Sequence, residues 1–470
     1  MKRQKLLLLS ILFIVPAYIS ATRTKGLEEL QQEFVNLRFG MFIHYNIPTY
    51  MPEDWADPDA PPSIFNPSRL DCSQWAAAAK SANMSYGCLT AKHHSGFCIW
   101  DTRTTDYNVM NSPFGKDVVR EYADAFRNEG LKVMLYYSIL DTHHRLRPHM
   151  IKADHVQMVK SQIAELLTNY GEITALIIDG WDAPWSRISY DDIPFEDIYL
   201  LVKSLQPNCL LMDLNAAKYP AEALFYTDIK SYEQGAGQHV PDANKLPALS
   251  CFPIQDTWFW KESFPGKPVK SPEEIVEKNI VPLNQISCNF ILNVAPNRDG
   301  LMDDNALEAL KTIGRLWKND RAPEHKITRS ERPVISSNLA KNKPMESSWS
   351  HDTGIMDFAN DDNFNTAWVS QPSVTEPWLE VTLSKKDTEF NMIVITELLG
   401  RQDRIKKYRL EYFSGNEWRP IETGTNPNRV KIHRFDKVWG TKVRIRIDEF
   451  THPPFIAEFG VYRERQNDPK

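Results

Sequence analysis

Apolar residues along the first two thirds of the chain fall in short unbroken runs rather than in alternation. Eight such runs stand out: FGMFIHY from Phe39, YGCLTAKH from Tyr86, KVMLYYS from Lys132, ALIIDG from Ala175, CLLMDLN from Cys209, FYTDIKSYE from Phe225, LSCFPIQD from Leu249 and CNFILNV from Cys288. Continuous runs of this length suit parallel strands buried on both faces. Between several of them the spacing changes to that of amphipathic helices. One is expected from Asp71 to Asn83, with Asp71 as N-cap. Another is expected from Asp117 to Glu129, where Val118, Tyr122, Ala125 and Phe126 share a face and Gly130 follows as C-cap. Strand and helix alternating eight times predict a (β/α)8 barrel. The helices after the fifth and sixth strands are expected to be short or missing, because Ala216 to Leu224 is too short for a helical crossover and Gln234 to Ala248 is rich in Gly and Pro.

The pattern changes past DRAPEHKITRSERP, Asp320 to Pro333, a charged stretch with two prolines and no apolar periodicity, which reads as a linker. Beyond it come WLEVTL from Trp378, MIVITE from Met392, YRLEYF from Tyr408 and VRIRI from Val443, separated by turn-rich segments. Period-two strands at this spacing predict an antiparallel β-sandwich. The expected division is a signal peptide over 1–21, a catalytic barrel over 22–325, and a linker with the sandwich over 326–470.

Composition narrows the partners. The net charge of −6 comes with Lys and Arg scattered rather than gathered in a stripe, which argues against nucleic acid. Met1 to Ala21 opens with Lys2, Arg3 and Lys5, continues as an apolar run from Leu6 to Val15 and ends in the small residues Ser20 and Ala21, the pattern of a cleavable secretory signal. A secreted or periplasmic protein is therefore expected. No later run is long enough to span a membrane. The six cysteines could form three disulfides, but Cys88, Cys209, Cys251 and Cys288 sit in or beside apolar strand-like runs, which favours buried free thiols. There is no Cys-x-x-Cys pair to suggest a zinc ribbon.

Catalytic side chains of such barrels lie at the C-terminal ends of the strands. Here those ends carry His44, His93 and His94, Tyr137, Asp179, Glu233, Asp256 with Trp258, and Asn293, while Trp55 and Trp100 fall in rim loops. A carboxylate ending the apolar run ALII is costly unless it meets water, ligand or hydrogen-bond donors, which makes Asp179 the leading catalytic candidate. Imidazoles and amides offer directional hydrogen bonds, and Trp and Tyr offer flat apolar faces. Together they suit a sugar ring, with hydroxyls at its edge and C–H patches on its faces. Glycoside cleavage needs two carboxyl groups, and Glu233 is the other strong candidate near a strand end.

FGMFIHYN, KHHSGFCIWDT, the Asp179-Gly180 pair and ILNVAPNRDGLMDDNALEALKTIGRLW resemble the α-L-fucosidases of glycoside hydrolase family 29, from about Phe34 to Asn319. The resemblance implies a retaining double displacement that needs no cofactor, with Asp179 at the nucleophile position and His44, His93, His94, Tyr137 and Trp258 at fucose-contacting positions. Two motifs depart from the family: its His-Trp-Gly is here His44-Tyr45-Asn46, and its His-His-Asp is His93-His94-Ser95. DIKSYEQGAG from Asp228 is similar to a segment of the branch that cleaves α1,3/4-linked fucose from branched glycans, although Glu233 lies two positions before the matching Glu. Glu233 is taken as acid/base, with Glu222 as second choice.

The last domain resembles discoidin-like, or factor V/VIII type C, modules through NLAKNKP at Asn338, DDNFNTAW ending at Trp368, WLEVTL and IAEFGVY ending at Tyr462. Such modules often bind galactose-type sugars and hold a structural calcium. Asp361, Asp362, Asn363, Thr366 and Glu458 could supply hard oxygen ligands, and an Asp-Asn turn capping a loop is equally consistent.

Blander readings stand beside these. Paired histidines more often satisfy a buried network than bind metal, so no metal is expected in the barrel; His143, His144 and His149 read as a solvated loop, and the rim tryptophans could be plugs. Asn83-Met84-Ser85 is a glycosylation sequon only where the source glycosylates. The functional alternatives are a metal-dependent barrel hydrolase, another retaining exo-glycosidase, and a non-catalytic glycan-binding protein on a degenerate barrel. The expected partner is a fucosylated oligosaccharide or glycan.

Overall fold

Each of the eight apolar runs forms a strand, and the strands close in chain order into one parallel barrel: β1 (Phe39–Ile43), β2 (Tyr86–Lys92), β3 (Lys132–Ser138), β4 (Ala175–Asp179), β5 (Leu210–Leu214), β6 (Ile229–Glu233), β7 (Ala248–Pro253) and β8 (Cys288–Asn293). The structure is a computed structural model that describes residues 23–216, 226–320, 326–333 and 336–464. The expected signal segment over 1–21 and Glu222 lie outside the described residues.

The strand backbones are buried on both faces, so alternation decides which side chains enter the barrel. Phe42, Tyr86, Cys88, Met134, Tyr136, Ile177, Met212, Leu249 and Ile291 make the interior core. Leu89, Leu135, Tyr137 and Leu176 pack outward under the helices. The β2–β3 register slips by one residue between Thr90 and Lys92. This bulge turns Lys92 to the helix side, paired with Tyr137, and leaves His93 facing the barrel mouth.

A helix not anticipated from the pattern, α1 (Leu27–Leu37), closes the end where the strands begin. Its Leu30 and Phe34 join the interior core, and Asn289 donates to the Phe34 carbonyl at 2.8 Å. The expected caps are in place. Asp71 accepts from Ser73 N and Gln74 N at the start of α2 (Cys72–Ser81), and Asp117 accepts from Arg120 N at the start of α3 (Val118–Asn128). Then come α4 (Ala153–Asn169) and α5 (Phe195–Leu205). After β6 only a short 3-10 turn, Gln234–Ala236, precedes β7, as the Gly and Pro content predicts.

Past β7 one helix runs through α6 (Pro272–Ile275), a π turn (Val276–Ile280) and α7 (Val281–Gln285). Pro282, lacking an N–H, sits where the widened turn ends. The last barrel helix, α8 (Asp304–Leu316), packs so tightly on α2 that a Cβ at Gly314 would lie 1.8 Å from the Ser81 carbonyl oxygen.

The second unit is a pair of antiparallel sheets, as expected. Its strands are β9 (Met345–Ser347), β10 (Trp368–Val369), β11 (Trp378–Thr382), β12 (Thr388–Glu397), β13 (Ile405–Ser414), β14 (Glu417–Thr425), β15 (Lys431–Gly440), β16 (Lys442–Phe450) and β17 (Phe455–Tyr462). One sheet has the order β10-β17-β12-β15 and the other β14-β13-β16-β11-β9. Alternation places Val443, Ile445 and Ile447 of β16 in the core between them. The outer face of β12 and β17 meets the barrel: Met392, Val394 and Tyr462 pack on Ala216 and Tyr226, and Lys341 pairs with Asp191 at 2.6 Å. All six cysteines are buried free thiols. No helix among the described residues is long and apolar enough to cross a membrane.

Candidate active site

A cavity of about 280 Å3 opens at the mouth of the barrel, where the C-terminal ends of the strands converge. His44, Trp55, His93, His94, Asp179, Glu233 and Trp258 line it, joined by Phe42, Asp54, Trp185, Leu214 and Asn215, which the pattern did not single out.

Asp179 ends β4 and lies almost out of reach of solvent, at 5% exposure. Its Oδ2 accepts from the Tyr136 hydroxyl at 2.6 Å, and its Oδ1 from Gly180 N at 2.7 Å and Asn215 Nδ2 at 3.4 Å. These donors favour the anion, yet burial outweighs them and, with the nearby Glu233 charge, pushes the carboxyl up to about 7. Residue 180 is glycine for a steric reason: its φ is +68°, and a Cβ there would lie 2.9 Å from Leu140 Cβ.

Glu233 ends β6 with Oε2 accepting from Asn215 Nδ2 at 2.7 Å and a further hydrogen bond from the Trp258 side chain; burial raises its pKa. Asn215 thus stands between the two carboxyls, holding a left-handed φ of 70° that Asn tolerates better than most residues. Trp258 is fixed in turn by its backbone N–H to Asp54 at 2.9 Å, and Asp54 pairs with Lys261.

The three histidines are neutral. Burial lowers His44 to about 4 and His94 to about 3, and pushes His93 well below the usual imidazole range. Their tautomers follow from the partners. Asn293 Oδ1 accepts from His44 Nδ1 at 2.8 Å. The Ser138 hydroxyl donates to the Leu140 carbonyl and so accepts from His94 Nδ1 at 2.7 Å. His94 Nε2, 3.8 Å from Asp179, is therefore an unprotonated imidazole nitrogen rather than a countercharge. His93 Nδ1 is buried with no protein hydrogen-bond partner. Trp55 and Trp185 meet edge to face at 5.3 Å, each 4.7 Å from the His94 ring, and are half-exposed at the rim.

Two expected sugar contacts are not in the cavity. Tyr137 points outward from β3, its hydroxyl donating to Gln162 of α4 at 2.6 Å and accepting from Lys92 at 3.0 Å. The tyrosine that reaches the site is its neighbour Tyr136, because adjacent strand residues face opposite ways. Trp100 is fully buried, and its indole N–H donates to Glu165 of α4 at 2.9 Å, so it is a plug beneath the loop after β2. Asp256, expected at a strand end, lies in the exposed loop past β7 and pairs with Lys267.

Lys92 and Asp141 form a fully buried ion pair at 3.1 Å, and His144 adds a hydrogen bond that helps hold the Asp141 carboxyl well below its usual range. His143 stacks on Tyr107 at 3.8 Å. His144 thus braces the loop after β3, while His143, bonded to the Pro58 carbonyl, and His149 are exposed, as expected of a solvated loop. In the sandwich, Asp361 accepts from Asn363 N and from Thr366 Oγ1, Asp362 pairs with Lys341, and Glu458 accepts from Asn338. The first two bonds describe the capping turn. Among the described residues no group of three or more His, Cys, Asp or Glu side chains gathers so as to hold a metal ion.

A family model described as alpha-L-fucosidase matches residues 49–321, more than half of the chain. The chain belongs to the α-L-fucosidase family. It is a glycoside hydrolase, and its C-terminal unit matches the F5/8 type C domain over residues 342–459. Among its relatives, alpha-L-fucosidase 1 of Arabidopsis thaliana is 28% identical over 90% of this chain and 85% of its own. The plasma alpha-L-fucosidase of Rattus norvegicus is 26% identical over 66% and 76%. Among solved structures, a glycoside hydrolase 29 family member from an unknown rumen bacterium superposes with a TM-score of 0.51 at 26% identity, covering 94% of this chain and 78% of that one. Alpha-L-fucosidase isoenzyme 1 from Paenibacillus thiaminolyticus, at 24% identity, TM-score 0.55 and coverage of 90% and 99%, shares the fold.

Proposed function

We propose that this fucosidase is a retaining exo-glycosidase acting on fucosylated oligosaccharides or glycans, with Asp179 as nucleophile and Glu233 as acid/base. In the first step an Asp179 oxygen bonds to the anomeric carbon as the carbon–oxygen bond to the leaving group breaks, and Glu233 gives its proton to that oxygen. In the second step Glu233 takes a proton from water, which attacks the same carbon and releases Asp179.

One observation carries the reading. Both carboxyls accept from the same Asn215 nitrogen, so the oxygens involved lie within about 6 Å of each other, on the short side of the division between retaining pairs at about 5–5.5 Å and inverting pairs at about 6.5–9.5 Å. The neutral histidines supply hydrogen bonds to ring hydroxyls without adding charge, and Trp258 presents a flat face beside Glu233. Phe42 and Leu214 close the cavity below, which suits a terminal sugar rather than a mid-chain one. Proton NMR of the first-formed fucose tests the stereochemistry. The α anomer is the expected product, and early appearance of the β anomer overturns the mechanism.

The likeness of DIKSYEQGAG to the branch acting on α1,3/4-linked fucose supports that linkage on branched glycans, and a panel of linkage isomers tests it. The basic, apolar and small-residue segments of Met1 to Ala21 support export, tested by whether the mature N-terminus follows Ala21.

A further inference from the structure

His94 is held from the neighbouring strand at two points. Thr142 N donates to its carbonyl at 2.9 Å, and Ser138 Oγ accepts from its Nδ1 at 2.7 Å. Both partners belong to one segment, residues 138–142, which leaves the end of β3 and runs beside the nucleophile position, where Ile139 N donates to the Asp179 carbonyl at 2.8 Å. Within that segment lies Asp141, whose carboxylate reaches back 3.1 Å to Lys92, two residues before His94. The imidazole that stands 3.8 Å from the Asp179 carboxyl is thus carried in a closed ring of contacts.

Lys92 and Asp141 are fully buried, and neither forms part of the cavity wall. The Lys92 ammonium donates to the Tyr137 hydroxyl at 3.0 Å, to Asp141 Oδ2 at 3.1 Å and to Gln162 Oε1 at 3.2 Å, which uses all its protons. The turn that follows His94 closes on the same carboxylate. Gly96 N donates to the His93 carbonyl at 2.9 Å with φ at +89°, and a Cβ there would lie 2.2 Å from Asp141 Oδ1. A buried ion pair is a poor device for stability alone, because desolvating two charges offsets their attraction and apolar replacements are often as stable. What the charges add is direction. We propose that Lys92 and Asp141 are positioning residues for the reaction, whose ion pair sets where the His94 imidazole stands against the sugar and Asp179 without touching substrate. The proposal rests on the reading of His94 as a hydrogen-bond partner of the fucosyl unit.

The test is a double-mutant cycle on the full-length enzyme, read as kcat/KM for an aryl fucoside, with urea unfolding to establish that each variant is folded. Lys92→Met combined with Asp141→Asn exchanges both charges for neutral groups of similar shape and leaves no unpaired buried ion. It is expected to lower kcat/KM about 10- to 100-fold, the scale of a small misplacement at the reacting centre. In a His94→Ala background the same two changes should cost no more than about twofold, because residues that act only through His94 then have nothing left to position. Asp141→Glu, which keeps the charge on a longer arm, should show the same dependence on His94 and serves the test where the neutral pair does not fold. Equal fold-losses in the two backgrounds, or a folded neutral pair with wild-type kcat/KM, overturn the positioning role while leaving the fucosidase reading intact. A His94→Ala enzyme that keeps the wild-type kcat/KM overturns the reading of His94 as a sugar contact, and the positioning role with it.

Discussion

Asp179 and Glu233 accept hydrogen bonds from a single nitrogen, Asn215 Nδ2, at 3.4 and 2.7 Å. Two buried carboxyls this close cannot both ionise cheaply, so their protons come off as a coupled pair. The form suited to double displacement carries one proton, on Glu233, and an anion on Asp179. The donors are distributed to favour it: Asp179 takes the Tyr136 hydroxyl and Gly180 N in addition to the shared amide.

Asp179→Ala should abolish turnover while leaving the fold intact, because the side chain contributes hydrogen bonds at the mouth and no core packing. Azide should restore turnover of an aryl fucoside and yield a fucosyl azide of inverted anomeric configuration, the small anion occupying the space of the missing carboxylate. A variant that keeps roughly a tenth or more of the wild-type kcat rules out the nucleophile assignment.

Tyr136→Phe and Tyr137→Phe should separate cleanly. Tyr136 donates to Asp179, and loss of a hydrogen bond to an ionised group costs about 1.5–3 kcal/mol, or about 10- to 100-fold in kcat/KM. Without that donor the Asp179 anion is less stable, its pKa rises, and the acidic limb of the pH profile moves to higher pH. Tyr137 instead belongs to the buried Lys92, Asp141 and Gln162 network, so loss of its hydroxyl should lower the unfolding free energy by about 1–3 kcal/mol and leave the pH profile in place. The reverse pattern would show that the two tyrosines had been assigned to the wrong faces.

That pair shows where the sequence was legible and where it was not. Eight unbroken apolar runs were enough to place every barrel strand, because burial on both faces removes polar residues from the strand interior. The same uniformity hides parity: in KVMLYYS nothing distinguishes the inward tyrosine from the outward one, and the family position pointed to Tyr137. The bulge after Thr90 has no sequence mark either, although the charge on Lys92 could not have faced an apolar barrel without a partner. Asn215 is the last residue of the fifth run, so inspecting every strand end would have found it. Trp185 lies in a loop without periodicity, and only the fold brings it against His94. Helix α1 was missed because it precedes the first strand and completes no strand–helix alternation.

Trp100 lies beneath the site without entering it. Trp100→Phe should lower stability by about 1–3 kcal/mol through the lost bond to Glu165 and the lost volume, and Trp100→Ala by about 3–5 kcal/mol. Urea unfolding measures the loss. KM for an aryl fucoside should stay at the wild-type value in the Phe variant, and a rise of about tenfold or more would return the indole to the substrate-contacting set.

The sharpest test concerns the other carboxyl. Activity requires an ionised Asp179, whose pKa is pushed up to about 7, so kcat/KM should fall as the pH drops through that region. It also requires a protonated Glu233, so activity should fall again at higher pH, giving a bell. On the acidic limb Glu233 still holds its proton, so Glu233→Gln exchanges one neutral group for another there and the acidic limb should stay in place. The basic limb should disappear, because the amide has no proton to lose in that range. Natural oligosaccharides, whose leaving groups need the proton, should slow by about 10²- to 10⁴-fold, while aryl fucosides with good leaving groups should slow far less. Equal losses on both substrate types, or a basic limb that persists in the Gln variant, would take the acid/base role away from Glu233.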